Sequence, residues 1–106
     1  MQPNEYQQLA LYTERGTNGP YPRILNGVMG LNGEAGEVID IVKKHLFQGH
    51  ELDKEHLIEE LGDVAWYLAI CADAIGVTLE EVFERNIEKL RKRYPEGFDS
   101  YRSVNR

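Results

Sequence analysis

The sequence predicts an all-α protein, an antiparallel helical bundle of four main helices completed by oligomerisation. Three observations carry this reading. Apolar residues recur at three- and four-residue steps through four segments, and no stretch reads convincingly as a strand. Each segment is bounded by helix-starting or helix-stopping residues. The 106 residues form a single domain over positions 1–106, a length at which one core suffices without disulfides.

The first helix runs from about Asn4 to Tyr12, with Pro3 and Asn4 at its start and Leu9, Ala10 and Tyr12 as apolar contacts. A loop follows, marked by Gly16, Asn18, Gly19, Pro20 and Pro22. The second helix runs from about Arg23 to Phe47 and stops near Gly49; its stripe is Val28, Leu31, Ala35, Val38, Val42 and Leu46. Asp53 caps the third, which continues to Ile75 and ends at Gly76, with Leu57, Leu61, Val64, Leu68, Ala72 and Ile75 along one face. Thr78 and Glu81 form a capping box at the start of the fourth helix. There Leu79, Val82, Phe83, Ile87, Leu90 and Tyr94 face inward, and Pro95 stops the helix. The tail is short and polar, with Phe98 and Tyr101 as anchors.

Trp66 and Ile70 lie opposite the leucine stripe of the third helix, where a surface helix is polar. That helix is therefore expected to be covered on two faces. Either the second and fourth helices sandwich it or another subunit packs on it, which makes a homodimer or homotetramer the expected state.

The chain carries 12 Lys+Arg and 18 Asp+Glu, a net charge of −6. The imbalance is uneven: residues 1–84 hold 5 basic and 15 acidic side chains (net −10), residues 85–106 hold 7 and 3 (net +4). The acidic balance argues against nucleic acid polymer or anionic membrane as partners but leaves room for a local anion site. The longest apolar run, Val64 to Ala72, falls far short of the roughly 20 residues that span a bilayer. No charged n-region with an apolar stretch is visible near the first residues, so no signal peptide is expected. Cys71 stands alone, which allows no internal disulfide and fits a cytoplasmic setting.

Two motifs stand out, Glu34-Ala35-Gly36-Glu37 and Glu60-Leu61-Gly62-Asp63. Each sets two carboxylates three residues apart, neighbours on a helix face, with a glycine just before the second acid. A glycine inside a helix costs roughly 1 kcal/mol relative to alanine, so its repeated use suggests that something approaches the backbone closely. At about 100° per residue, Glu34 lies about 85° and Glu60 about 90° from their apolar stripes, with Glu37 and Asp63 about 60° further in the same sense. Two such helices packed side by side turn their acidic flanks toward one cleft, where like charges need a cation or a proton.

Mg²⁺, or Mn²⁺ in its place, suits that need. Zinc fits less well, since His45, His50, His56 and Cys71 form no compact ligand spacing. There is no Glu-x-x-His motif of the di-iron kind and no EF-hand loop. Acids three apart are more often a solvated face, and Glu59, Glu80, Glu81, Glu84 and Asp40 read that way. The matched register, spacing and glycine placement set the two motifs apart.

In these motifs the sequence resembles the MazG-like, all-α nucleoside triphosphate pyrophosphohydrolases. The resemblance rests on "GLNGEAGEVIDIVKKHLFQG", on "EELGDVAWYLA", with 22 residues between Glu37 and Glu60, and on a closing block "NIEKLRKRYPEGF". It implies a cytoplasmic enzyme that hydrolyses a nucleoside triphosphate to monophosphate and pyrophosphate. It implies Glu34, Glu37, Glu60 and Asp63 as ligands of Mg²⁺, with Glu34 or Glu37 taking the proton of the attacking water. Asn86 and Lys89 would reach phosphate oxygens, with Arg93 and Tyr94 as further candidates. Asn86, Lys89 and Arg93 share one helix flank by their three- and four-residue steps.

Other residues carry two readings. Lys44 lies on the flank of Glu37, so it either touches phosphate or neutralises the acids. Arg91 and Lys92 complement the dipole at the end of the fourth helix. Trp66 and Tyr67 could stack a base, although packing is the commoner use. Gly27, Gly30, Gly33 and Gly36 recur every third residue, which either admits another helix closely or breaks the helix near Asn26. Base selection is expected from the first helix and the Gly16–Pro22 loop, with Tyr6, Gln7 and Asn26 as candidates. The rival to the enzyme is a non-catalytic helical oligomerisation or nucleotide-sensing module.

Overall fold

The computed structural model describes residues 1–16 and 18–106, and Thr17 of the expected recognition loop lies outside the described residues. It is all-α. Among the described residues five helices follow in order: α1 (Pro3–Thr13), α2 (Arg23–Phe47), α3 (Lys54–Ala74), α4 (Leu79–Arg93) and α5 (Ser100–Val104). No strand occurs among the described residues.

The long helices α2 and α3 make the principal packing pair, and α1 lies against α3 and the start of α4. α2 is one unbroken helix, which settles what two of its glycines do. A Cβ at Gly27 would sit 2.8 Å from the Cys71 Sγ, and one at Gly30 would collide with the Tyr67 ring. Removing both side chains lets α3 approach the α2 backbone. At Gly33, Gly36 and Gly62 a Cβ would meet nothing within 4 Å, so no part of this chain fills the space beside them.

The second covering of α3 comes from α1, an arrangement different from both sequence expectations. Ala10 of α1, Ala69 of α3 and Leu79 of α4 form the buried cluster, with Tyr6, Trp66 and Leu68 packed around it. The Trp66 indole donates to the Thr13 hydroxyl at 2.8 Å. Buried Gln7 ties three segments together: its amide donates to the carbonyls of Ala69 and Val77, and its oxygen accepts from the Leu79 N–H. Arg23 bridges Glu14 and Asp73, joining the two ends of the first loop to the end of α3.

Both expected caps form. Asp53 accepts from the His56 N–H and Thr78 from the Glu81 N–H. The return half of the capping box is replaced, because the Glu81 carboxylate turns to Arg85 at 2.9 Å. Between α3 and α4 the Gly76 N–H bonds to the Asp73 carbonyl and the Val77 N–H to the Ala72 carbonyl. This is a Schellman turn, closed by Gly76 at φ +81°.

That turn corrects one expectation. α4 leaves α3 at 98°, so only its first turn reaches the core. Leu79 is buried and Val82 half-buried, but every residue from Phe83 to Lys92 is exposed. Phe83, Ile87 and Leu90 therefore do not face inward within the chain, because a helix at right angles cannot lie along the α2–α3 pair. The tail differs too. Asp99 caps α5 through the N–H groups of Tyr101 and Arg102, and Phe98 and Tyr101 remain exposed rather than anchoring it. Phe98 packs its ring on Tyr94 instead, with centroids 5.3 Å apart.

Candidate functional site

The glycine contacts set an antiparallel register. Gly27 lies against Cys71 and Gly30 against Tyr67, so each step along α2 is matched by an equal step back along α3. One turn further this register brings Glu34 to Asp63, and the next step brings Glu37 level with Glu60. Carboxylate oxygens of Glu34, Glu60 and Asp63 all lie within 4.8 Å of one another. Glu37 is not in that group, although its charge is felt at Glu34.

Such a cluster is electrostatically unsatisfied. Glu60 Oε1 is 3.2 Å from the His56 Nε2, but Glu60 Oε2 is buried with no hydrogen-bond partner among the described residues. The close side-chain approach of Glu60, then desolvation and the neighbouring acid charges, raise the Glu34 carboxyl above the usual carboxylate range. Two carboxylates can share such a contact only if a proton or a cation stands between them. Three hard oxygen donors with one orphaned buried oxygen fit a divalent cation such as Mg²⁺. Beside them the Tyr6 hydroxyl reaches the Gly62 carbonyl at 3.4 Å, and burial together with the Asp63 charge pushes its ionisation upward.

The expected phosphate-binding residues lie elsewhere in the chain. From Asp63 to the end of α3 is 11 residues, and from the start of α4 to Lys89 is 10. At 1.5 Å per residue and a near-right angle, about 20 Å separates Asp63 from Lys89, beyond the reach of a lysine side chain. Asn86 and Lys89 are exposed on α4. Lys89 and Arg93 line an open groove between α4 and α5 with Arg85, Lys92 and Arg102. The Arg93 guanidinium stands 5.9 Å from the centre of the Tyr94 ring. Lys44 pairs with Asp40 at 2.9 Å, and that contact lowers the Asp40 carboxyl below its ordinary value.

Three candidates for base contact serve packing. Trp66 and Tyr67 meet edge to face at 4.9 Å, the first held by Thr13 and the second seated over Gly30. Gln7 is the buried tie already described. Conversely, the sequence reading left His56 out of the site. Its four-residue spacing to Glu60 on one helix face was the available signal.

Residues 25–98 match the family model of the MazG nucleotide pyrophosphohydrolase domain, most of the chain and all of the acid cluster. The chain belongs to this family. The MazG match takes in all but the first two residues of α2, with α3 and α4, and leaves α1 and α5 outside it. This MazG domain is 42% identical over 73 residues to the Gene 37 protein of Mycobacterium phage L5, covering 65% of this chain and 64% of the phage protein. The chain thus spans just under two-thirds of that relative's length. It is 38% identical over 94 residues to the uncharacterized protein YvdC of Bacillus subtilis (strain 168), covering 78% of this chain and 85% of that protein. No solved structure matches. Among the described residues no helix is long and apolar enough by itself to cross a membrane.

Proposed function

We propose that residues 1–106 act as one MazG domain that hydrolyses a nucleoside or deoxynucleoside triphosphate to the monophosphate and pyrophosphate. The observation that carries this reading is the cluster of Glu34, Glu60 and Asp63 with the unpartnered, buried Glu60 Oε2. Family membership supports the reaction class.

Glu34, Glu60 and Asp63, with Glu37 one turn along the same seam, would hold Mg²⁺ or Mn²⁺. When bound, such a cation offsets phosphate charge and makes water a better nucleophile at neutral pH. Glu34 or Glu37 accepts the proton of the attacking water. The water oxygen bonds to a phosphorus flanking the α–β bridge, and the bridging bond breaks to release pyrophosphate. The family resemblance assigns phosphate contact and offsetting of the leaving-group charge to Asn86 and Lys89, with Arg93 and Tyr94 beside them. Within one chain, helix geometry keeps Lys89 about 20 Å from the acids. Lys44 stays with Asp40 at the margin of the acidic face. The single Cys71 is free, in keeping with a reducing cytoplasm.

The test is pyrophosphate release from a panel of ordinary and modified nucleoside triphosphates with Mg²⁺ or Mn²⁺. Metal-dependent release from at least one is expected. No turnover of any of them by the intact protein would sink the enzyme and favour a binding module.

A further inference from the structure

Of the three clustered acids, Glu60 alone has a side-chain hydrogen-bond donor among the described residues, the His56 imidazole at 3.2 Å from Oε1. The two side chains differ in burial, Glu60 being 15% exposed and His56 48%. The last torsion of a glutamate is soft, so its two oxygens ordinarily exchange places with little cost. A donor on one of them removes that freedom. With Oε1 engaged by His56, the buried and unpartnered Oε2 is the oxygen left to the cluster.

Local sequence places His56 for this. It stands in the first turn of α3, where the Asp53 carboxylate accepts from its backbone N–H at 3.0 Å. Glu60 follows four residues later, one turn along the same face. Asp53, His56 and Glu60 thus form a short line of hydrogen bonds from the helix cap to the acids. An ionised carboxylate only accepts, so the hydrogen of the His56–Glu60 contact sits on Nε2. The neutral ring with its hydrogen on Nε2 and the imidazolium both donate there, so the contact does not require His56 to change charge. The ring is not one of the donors gathered within 4.8 Å of one another, which makes it a holder of a ligand rather than a ligand.

We infer that His56 is a positioning residue for the metal centre: by holding Glu60 Oε1 it presents Oε2 to a divalent cation shared with Glu34 and Asp63. This rests on the reading that the cluster binds such a cation, and it deepens that reading by naming the side chain that orients a ligand. Residues that hydrogen-bond to a ligand rather than to the metal set metal affinity by about 10–100-fold.

The test uses Mn²⁺ alone, without nucleotide, and counts the free ion by its electron paramagnetic resonance signal. His56→Ala keeps the backbone N–H that Asp53 caps, so its helical spectrum should match that of the wild type. Its dissociation constant for Mn²⁺ should rise about 10–100-fold. His56→Gln, whose amide nitrogen reaches the place of Nε2, should recover most of that loss. His56→Asn, whose amide stops short of it, should behave like His56→Ala. A merely structural pair would instead lower the metal-free Tm of His56→Ala and leave its Mn²⁺ affinity unchanged, and that result overturns the inference. So does a loss that His56→Gln fails to recover. A wild type that binds no Mn²⁺ overturns both the inference and the metal centre beneath it. A wild type that binds Mn²⁺, with the variants in the expected order, but turns over no triphosphate keeps His56 in this role and removes the catalytic reading alone.

Discussion

Glu34 of α2 and Glu60 of α3 hold carboxylate oxygens within 4.8 Å of one another, and Glu60 Oε2 is buried there without a donor. Most acids three residues apart on a helix end in water, so the separation of these two decides how the cluster behaves. A cation entering the gap replaces repulsion with attraction and supplies the missing partner.

Binding of Mg²⁺ should therefore stabilise the fold. At a free concentration 100 times its dissociation constant, a ligand specific for the native state adds about 2.7 kcal/mol. Thermal melts followed by circular dichroism should show Tm rising with Mg²⁺ in the wild type. In Glu60→Gln the rise should be lost while the helical signal is kept. An equal rise in both proteins would remove Glu60 from the metal centre.

The glycines of α2 should divide by their surroundings. Gly30→Ala drives a Cβ into the Tyr67 ring, which Trp66 meets edge to face, and overpacking of this kind costs about 1–3 kcal/mol. Gly33→Ala meets open space and should stabilise the helix by up to about 1 kcal/mol through propensity alone. Urea midpoints moving in opposite directions would bear this out, and two shifts of the same sign would contradict the α2–α3 packing.

Gln7→Ala should destabilise the chain by at least about 2 kcal/mol, because it leaves the Ala69 and Val77 carbonyls and the Leu79 N–H without their side-chain partner. Hydrogen exchange should quicken most at the Leu79 amide, where the turn between α3 and α4 is tied. Unchanged stability and exchange would mean that Gln7 does not set the α4 angle.

How much of this was legible in the sequence follows from which forces are local. Helix limits, the Asp53 and Thr78 caps and the stop at Gly76 depend on neighbouring residues, and all were readable. Glu34 and Glu60 could be placed on converging flanks because helix periodicity is itself local. The 98° turn was not readable. It depends on Gln7, some seventy positions from Val77 and Leu79, reaching their backbone groups through the fold. For the same reason Phe83, Ile87 and Leu90 read as core although they are exposed in the chain: an apolar stripe marks a helix face, and the angle at which the helix leaves the core decides whether that face is buried. α1 was under-read because its contact with Trp66 joins residues 53 positions apart. The short α5 was missed, although Asp99 carried a capping signal.

The most direct measurement compares wild type and Glu60→Gln on the same triphosphate, with and without Mg²⁺, while the products are identified by ³¹P NMR. The account predicts monophosphate and pyrophosphate from the wild type only when the cation is present. From the variant it predicts a rate at least about 100-fold lower, the scale of losing a transition-state electrostatic contact, with its helical spectrum unchanged. Wild-type rates from Glu60→Gln, or diphosphate and phosphate as the products, would contradict it.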